Sequence, residues 1–528
     1  MSRKRPNIIL IMTDQHRADH LGCYGNGIVR TPNIDRLAAG GTCFDRFYVA
    51  TPVCMPNRAS LATGRMPSAH LARHNGVPLP TESVTFFEVL RDAGYDTALI
   101  GKSHLHNFTG RPAPKRHPRR RDLKMPPEGL SDAVRLNLIG PDYELENAQA
   151  WRDDPDRAVP LPFFGFDEVK ICSLHGDQVQ GHYTAWLRDR CGGDPDKLRG
   201  PDNATPSNMS APQAWRTKMP EELYPTTYIA EESLSFLDRQ AARESDNPFF
   251  LKMSFPDPHH PFTPPGKYWE MYDPADMPLP ATFEDKIYDP PPPVKELRDA
   301  LEDAAGSHHV TVPVNEQQAR EATALTYGMI TMIDDAIGRV LAKLEDLGLA
   351  EDTVIAFTSD HGEFMGDRGV VFKFGYHYRE LVRVPFVWFD PKAPTAGMHS
   401  ERLSGTIDIA PTILERAGIN APYGVQGLNV FDAAHTHAGM MIEDYAASYM
   451  ADPDSPCHYA TFITDRWRLT RYESSEWGEL YDLKEDPLEL NNLWEYPDSR
   501  SVRAEMHERM VRQMLRLHDR GISPTSRA

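Results

Sequence analysis

Short apolar runs that stop at charged or histidine-bearing turns recur along the chain. Residues 7–12 are almost continuously apolar and end at Thr13-Asp14-Gln15. Such a run, without alternation, predicts a strand buried on both faces with polar chemistry at its carboxyl end. Residues 96–100 predict a second strand, ending at Gly101-Lys102-Ser103-His104. Residues 248–254 predict a third, ending at Pro258-His259-His260-Pro261, and residues 353–358 a fourth, ending at Asp360-His361-Gly362. Helical patterns lie between them. Thr31-Pro32 opens a helix that runs to Ala39 and stops at Gly40-Gly41. Residues 85–93 predict a helix stopped by Gly94, and residues 321–347 carry a long amphipathic repeat. This alternation predicts an α/β fold with a large, mostly parallel sheet between helices. Ligands of such sheets bind beyond the carboxyl ends of the strands, so the four turns are expected to converge.

Two regions break the rhythm. Residues 107–225 are proline-rich and irregular, with a basic cluster of Arg111, Lys115, Arg116, Arg119, Arg120, Arg121 and Lys124. A loop of this length predicts a lid, a specificity insertion or an oligomer arm. The cluster reads as a solvated or subunit-contacting loop rather than a polyanion site. Pro290 to Pro293 mark another surface excursion. After Ile419, residues 458–464, 467–472 and 479–483 predict antiparallel strands, and residues 501–518 a terminal helix. The expected division is a catalytic α/β domain over residues 1–425, with 107–225 as its insertion, and a smaller α+β subdomain over 426–528.

Composition narrows the class. A chain of 528 residues exceeds one ordinary core, and 40% hydrophobic content supports a globular protein. Its 57 basic and 76 acidic residues give a formal charge of −19, which argues against nonspecific nucleic-acid binding. A few cations in a cleft still suffice to hold an anionic substrate. The six cysteines, at positions 23, 43, 54, 172, 191 and 457, form no CxxC pair and are too sparse for a disulfide scaffold. The first apolar run is too short for a signal peptide, and no stretch reaches the length of a membrane span. A reduced, cytoplasmic protein with no nucleic-acid or membrane partner is expected.

Two pairs carry candidate metal chemistry. Asp14-Gln15 and Asp360-His361 gather two carboxylates, an amide oxygen and an imidazole at strand ends, a donor set for a divalent cation. The stretch Cys54-Met55-Pro56-Asn57-Arg58 adds a nucleophile. A helix beginning near Pro56 aims its free N–H groups and positive end at residue 54, with Arg58 on the first turn facing the same point. Cysteine alone there reads first as a small buried core residue, the commonest fate of cysteine, and second as an unmodified thiolate. The full string Cys54-x-Pro56-x-Arg58, followed by Leu61-x-Thr63-Gly64, resembles the signature of the type I sulfatases. That group belongs to the alkaline phosphatase superfamily and includes related phosphonate monoester hydrolases. The resemblance runs in family order from Asp14 to Leu493, where residues 479–493 are similar to the C-terminal part of sulfatases.

The resemblance implies an alkaline-phosphatase-like fold and a maturation enzyme that oxidises Cys54 to formylglycine, whose hydrate is the nucleophile. It implies a metal held by Asp14, Gln15, residue 54, Asp360 and His361. Many members carry aspartate where Gln15 stands and asparagine where His361 stands. Gln15 removes one negative ligand charge, and an imidazole is unusual for Ca²⁺. Ca²⁺ is the first expectation and Mn²⁺ the alternative. Lys102 is expected to neutralise an ester oxygen, and His104 to bond the diol and take its proton when the intermediate collapses. His259 matches the family's His-x-Pro and is the expected general acid, with His260 behind it. Lys373, twelve residues after His361, stands where sulfatases carry a second lysine. Asn75 resembles a pocket residue of the phosphonate monoester hydrolases, and His377 is close enough in sequence to line the pocket.

The implied activity is hydrolysis of sulfate monoesters of small anionic molecules. The nearest rival is a phosphonate monoester or phosphodiester hydrolase: Gln15, His361 and Asn75 lean towards it, whereas Gly-Lys-Ser-His and Pro-His-His-Pro lean towards sulfatases. A catalytically silent binding protein on the same scaffold is the third reading, and the filled catalytic positions argue against it. The long insertions suggest a homo-oligomer.

Overall fold

The computed structural model describes residues 5–111, 122–124, 126–127, 130, 138–284, 311–373, 376–393, 395–445, 458–473 and 475–518. Most of the basic cluster, Pro290 to Pro293 and Cys457 lie outside these residues. Among the described residues the main sheet has nine strands. In chain order they are β1 (Asn7–Thr13), β2 (Thr42–Phe44), β3 (Asp96–Gly101), β4 (Glu168–Ser173), β5 (Gln180–Gly181), β6 (Phe249–Ser254), β7 (Thr353–Ser359), β8 (Phe386–Phe389) and β9 (Met398–Ser400). Their spatial order is β9-β2-β8-β7-β1-β6-β3-β4-β5. The five central strands β7, β1, β6, β3 and β4 are all parallel, and β8 and β5 pair antiparallel at the flanks.

The period-2 geometry of these strands divides the interior into two cores. Ile8, Leu10 and Met12 of β1 point to one, with Phe250 and Val354 from its neighbours. Ile9 and Ile11 point to the other, with Leu251, Met253, Ile355 and Phe357. The helices that cover the two faces include α1 (Pro32–Gly40), α2 (Cys54–Thr63), α3 (Phe86–Asp92), α4 (Pro225–Ala241) and α5 (Glu316–Asp346). The first core receives Leu61 of α2 and Phe86 and Phe87 of α3. The second receives Ile34 of α1, Phe236 of α4 and Ile333 of α5. Helix α5 starts five residues earlier than periodicity predicts, because Asn315 and Gln318 form a reciprocal capping box.

Residues 107–225 are not wholly irregular, as expected from sequence, but supply β4 and β5 to the sheet edge. The signal was weak because β4 alternates Lys and Cys with its apolar positions and is followed by further loops. Beyond the main sheet, β10 (Met440–Tyr445), β11 (His458–Ile463), β12 (Trp467–Tyr472) and β13 (Gly478–Asp482) form a four-stranded antiparallel sheet. Strand β10 was not expected, since its Glu443-Asp444 pair breaks the apolar pattern. Helix α6 (Arg500–Leu517) packs Met506 and Met510 against one face of this sheet, on Phe462, Leu469 and Leu480. Ile442, Ile463, Tyr472 and Tyr481 join the first core, so both sheets share packing. No helix among the described residues is long and apolar enough to cross a membrane.

Gly101 sets the exit of β3. It has φ +110°, and a Cβ there would lie 1.8 Å from the Ser254 carbonyl oxygen. The next amide, Lys102 N–H, donates to that same oxygen at 2.8 Å. The glycine thus lets the chain turn tightly against β6 and carry Lys102 over the strand ends. Gly101→Ala is expected to cost roughly 2–4 kcal/mol of stability, from the positive φ and the clash combined. A urea midpoint unchanged from the parent protein would refute this account of the turn.

Candidate active site

The expected convergence occurs. Asp14 follows β1, Lys102 and His104 follow β3, His259 follows β6, and Asp360 and His361 follow β7. Cys54 is the first residue of α2, whose ten residues are all buried. Pro56 fits in its first turn, where no N–H is required, and Gly64 closes it in the left-handed conformation (φ +66°) with its N–H donating to Ser60 at 2.8 Å.

Three groups meet around one point. The ligand atoms of Asp14, Asp360 and His361 lie within 4.8 Å of one another, and all three residues are fully buried. His361 Nδ1–H donates to the Gly362 carbonyl at 2.9 Å, which turns Nε2 towards the carboxylates, 3.4 Å from Asp14 Oδ1 and 3.6 Å from Asp360 Oδ1. Gln15 Nε2 donates to His260 Nδ1 at 3.0 Å and to Glu363. Gln15 Oε1 and Asp14 Oδ1 are buried with no hydrogen-bond partner. Two buried acceptor oxygens without donors, beside a second carboxylate and an oriented imidazole, fit a divalent cation. The mixture of oxygen and nitrogen donors suits Mn²⁺ at least as well as Ca²⁺.

Cations of the chain balance these carboxylates. Lys102 Nζ contacts Asp14 Oδ2, and Lys373 Nζ lies 2.6 Å from His361 Nε2. Burial alone would raise the Asp14 pKa, but Lys102 and His259 hold it well below the usual carboxylate range. Arg58 is near enough to residue 54 to interact with it electrostatically, and it also reaches the strand ends: its Nε donates to Asp360 Oδ2 at 2.7 Å and its Nη1 to the Lys102 carbonyl at 2.9 Å and Ser254 Oγ at 3.0 Å. Its long side chain reaches past the first helical turn to the strand ends, where it clamps the carboxylates.

The sulfur of Cys54 lies 3.8 Å from Lys373 Nζ and 3.5 Å from Asn75 Nδ2. Asn75 Oδ1 also accepts from the Met55 N–H at 3.2 Å, so Asn75 bridges the helix start and the nucleophile. His104 bonds the Cys54 side chain and stacks on Phe108 with centroids 3.8 Å apart. Burial pushes the Cys54 thiol up, but Lys373, His104 and Lys102 outweigh it and hold the thiol well below its ordinary value. Of the neighbouring histidines, His259 stands with Asp14, while His260 supports Gln15 and packs at a tilt against Phe372, with ring centroids 4.0 Å apart.

His377 is the one expected pocket residue whose contacts lie elsewhere. Its ring bonds Thr461 Oγ1 at 2.8 Å, lies 3.8 Å from Asp444 and packs on Tyr459. By this point the chain has left the site and entered the seam with the C-terminal sheet. Two residues went unnoticed in the sequence. His175 Nε2 lies 2.7 Å from Lys102 Nζ, and its ring stacks on His259 with centroids 3.6 Å apart. Burial and the Lys102 ammonium push its pKa down to about 3. Glu146 is buried and accepts the N–H groups of His104, Leu105 and His106 at 2.7, 3.0 and 2.9 Å, which holds His104 at φ +55°. A histidine just past an apolar run is the same signal that marked the other turns. His175 escaped it because β4 was not expected.

The sulfatase family profile matches residues 6–419, and a profile described as N-sulphoglucosamine sulphohydrolase, C-terminal, matches residues 366–516. An arylsulfatase of Clostridium perfringens is 31% identical over 494 residues, covering 93% of this chain and 90% of the relative. The crystal structure of a phosphonate monoester hydrolase of Agrobacterium radiobacter superposes with a TM-score of 0.75 at 25% identity, covering 98% of this chain and 97% of the other. The phosphonate monoester hydrolase of Silicibacter pomeroyi shares the fold with a TM-score of 0.77 at 23% identity and the same coverage. The chain belongs to the sulfatase family.

The donor set predicts metal-dependent stability. Ca²⁺ or Mn²⁺ at 100 times its dissociation constant is expected to stabilise the fold by about 2.7 kcal/mol, and Asp360→Asn to weaken or abolish the response. Melting temperatures that ignore both ions and chelator would remove the cation from this account.

Proposed function

We propose that this member of the sulfatase family hydrolyses sulfate monoesters of small anionic molecules, with residue 54 as nucleophile after a maturation enzyme converts Cys54 to formylglycine. The observation that carries the reading is the position of Cys54. It starts a buried helix within reach of Lys373, Asn75 and His104, beside a donor set suited to a divalent cation.

Bound by Asp14, Gln15, Asp360 and His361 and next to residue 54, a divalent cation would polarise the ester oxygens and acidify the nucleophile. Hydrated formylglycine would supply two hydroxyls, one to attack sulfur and one to expel sulfate by C–O cleavage, a release route closed to serine or a plain thiol. The remaining work falls to the chain. Lys102 and Lys373, both buried, offset charge that develops on the sulfuryl oxygens. His104 stands against residue 54 and takes the proton of the second hydroxyl. His259, held in place by the His175 ring, donates to the departing oxygen. Arg58 keeps Asp14 and Asp360 in register and adds its positive charge to that of the two lysines.

A second reading has specific support. Asn75 touches the Cys54 sulfur, and Gln15 stands where many sulfatases have aspartate. Sulfate monoesters, phosphonate monoesters and phosphodiesters each carry a single negative charge near neutral pH, so one cationic site accommodates all three.

The test is turnover of an aryl sulfate and of a phenylphosphonate monoester by matured protein and by Cys54→Ala. Cys54→Ala is expected to lower kcat/KM for the sulfate by about 10³-fold or more with the melting temperature retained. Near-parent turnover in that variant would overturn the reading. Faster hydrolysis of the phosphonate than of the sulfate would replace it with the second one.

A further inference from the structure

The stretch 479–493, similar in sequence to the end of sulfatases, has no part in the chemistry above. It reaches the site by another route. Asp360 and His361 stand at one end of a turn and Lys373 at the other. That turn is tightly wound. Met365, Arg368 and Phe372 have φ of +50°, +58° and +74°, a conformation that side chains other than glycine rarely adopt. Internal bonds run from Phe364 N–H to the Phe372 carbonyl at 3.2 Å and from Gly366 N–H to the Val370 carbonyl at 2.8 Å. Strained turns persist only where the surroundings over-determine them.

The surroundings here are ionic and buried. On one side Arg17, three residues after Asp14, donates to the Phe364 carbonyl at 2.6 Å and pairs with Asp367. On the other side the Arg368 guanidinium lies 3.8 Å over the Tyr378 ring and donates to the carbonyls of Leu488 and Glu489 at 3.1 and 3.0 Å. Glu489 Oε2 accepts from the Arg379 N–H at 3.1 Å and from Arg468 Nη1 at 3.1 Å. Arg468, fully buried on β12, also pairs with Glu479 of β13 at 3.0 Å, and Glu479 accepts from Tyr378 Oη at 3.1 Å. Buried ion pairs rarely stabilise a fold more than apolar residues of the same volume, so stability alone does not account for this network.

We infer that Arg368, Arg468, Glu479 and Glu489 are positioning residues, through which the C-terminal sheet fixes the turn that presents His361 and Lys373 to residue 54. The inference rests on reading Lys373 as an active-site lysine. It makes the C-terminal sheet a required part of the catalytic centre, although none of its residues needs to touch the ester.

Two variants test it. Glu489→Gln keeps the shape and removes the charge, and the pair Arg468→Met/Glu489→Met replaces ions by apolar volume. Each is assayed for aryl sulfate turnover, for melting temperature and for amide hydrogen exchange by mass spectrometry. The expected result is a fall of about 10-fold or more in kcat with KM within about 3-fold, because a group acting in the transition state is displaced. Exchange is expected to rise within residues 362–373 and not across the main sheet. A folded variant with parent kcat and unchanged exchange in the turn would overturn the inference. So would loss of activity only in step with a collapsed melting temperature and a rise in exchange everywhere. Absence of Cys54-dependent turnover in the parent protein would instead sink the functional reading, and the exchange measurement would still decide this one.

Discussion

Two carboxylates, Asp14 and Asp360, are buried side by side in the interior at the ends of adjacent strands, and the site is organised around that constraint. Each is fully buried, and an uncompensated charge there is expensive. The chain compensates with Arg58, Lys102 and the Lys373–His361 pair. Arg58 matters most, because one guanidinium ties α2, the exit of β3, β6 and the exit of β7 together. Removing one partner from such a buried arrangement typically costs about 3–5 kcal/mol, far more than the pair contributes over an apolar equivalent. The arrangement is therefore better understood as geometry maintained against a cost than as a source of stability.

The same logic extends outwards from the site. Glu146 spends a buried carboxylate on three backbone N–H groups to set His104. His175 spends an imidazole on Lys102 and on the ring of His259. Arg17 and Arg368 hold the turn before Lys373 from opposite sides. In each case a group set back from residue 54 fixes one proposed to act on the ester.

Much of this was legible in the sequence, for physical reasons that differ by residue. Asp14, Lys102, His259 and Asp360 stood out because a buried strand must end in polar chemistry, and strand ends in a parallel sheet converge. Cys54, Asn75 and Lys373 stood out through family resemblance. What the sequence hid were contacts between distant loops. His175 and Glu146 sit in a segment whose strand is too mixed to recognise, and the reach of Arg58 to Asp360, just past β7, does not follow from its helical position. His377 misled because proximity in sequence to Lys373 says nothing of where the chain goes after a tight turn. The C-terminal strands β11 to β13 were foreseen from alternation, but their ionic link to the site was not.

The central claim is that Cys54 is the precursor of the nucleophile and not the nucleophile itself. Mass spectrometry of the peptide containing residue 54, taken from active protein made with and without a formylglycine-generating enzyme, tests it most directly. The account predicts that sulfur is replaced by oxygen at residue 54 and that turnover scales with the converted fraction. Fully active protein in which residue 54 remains entirely cysteine would contradict it.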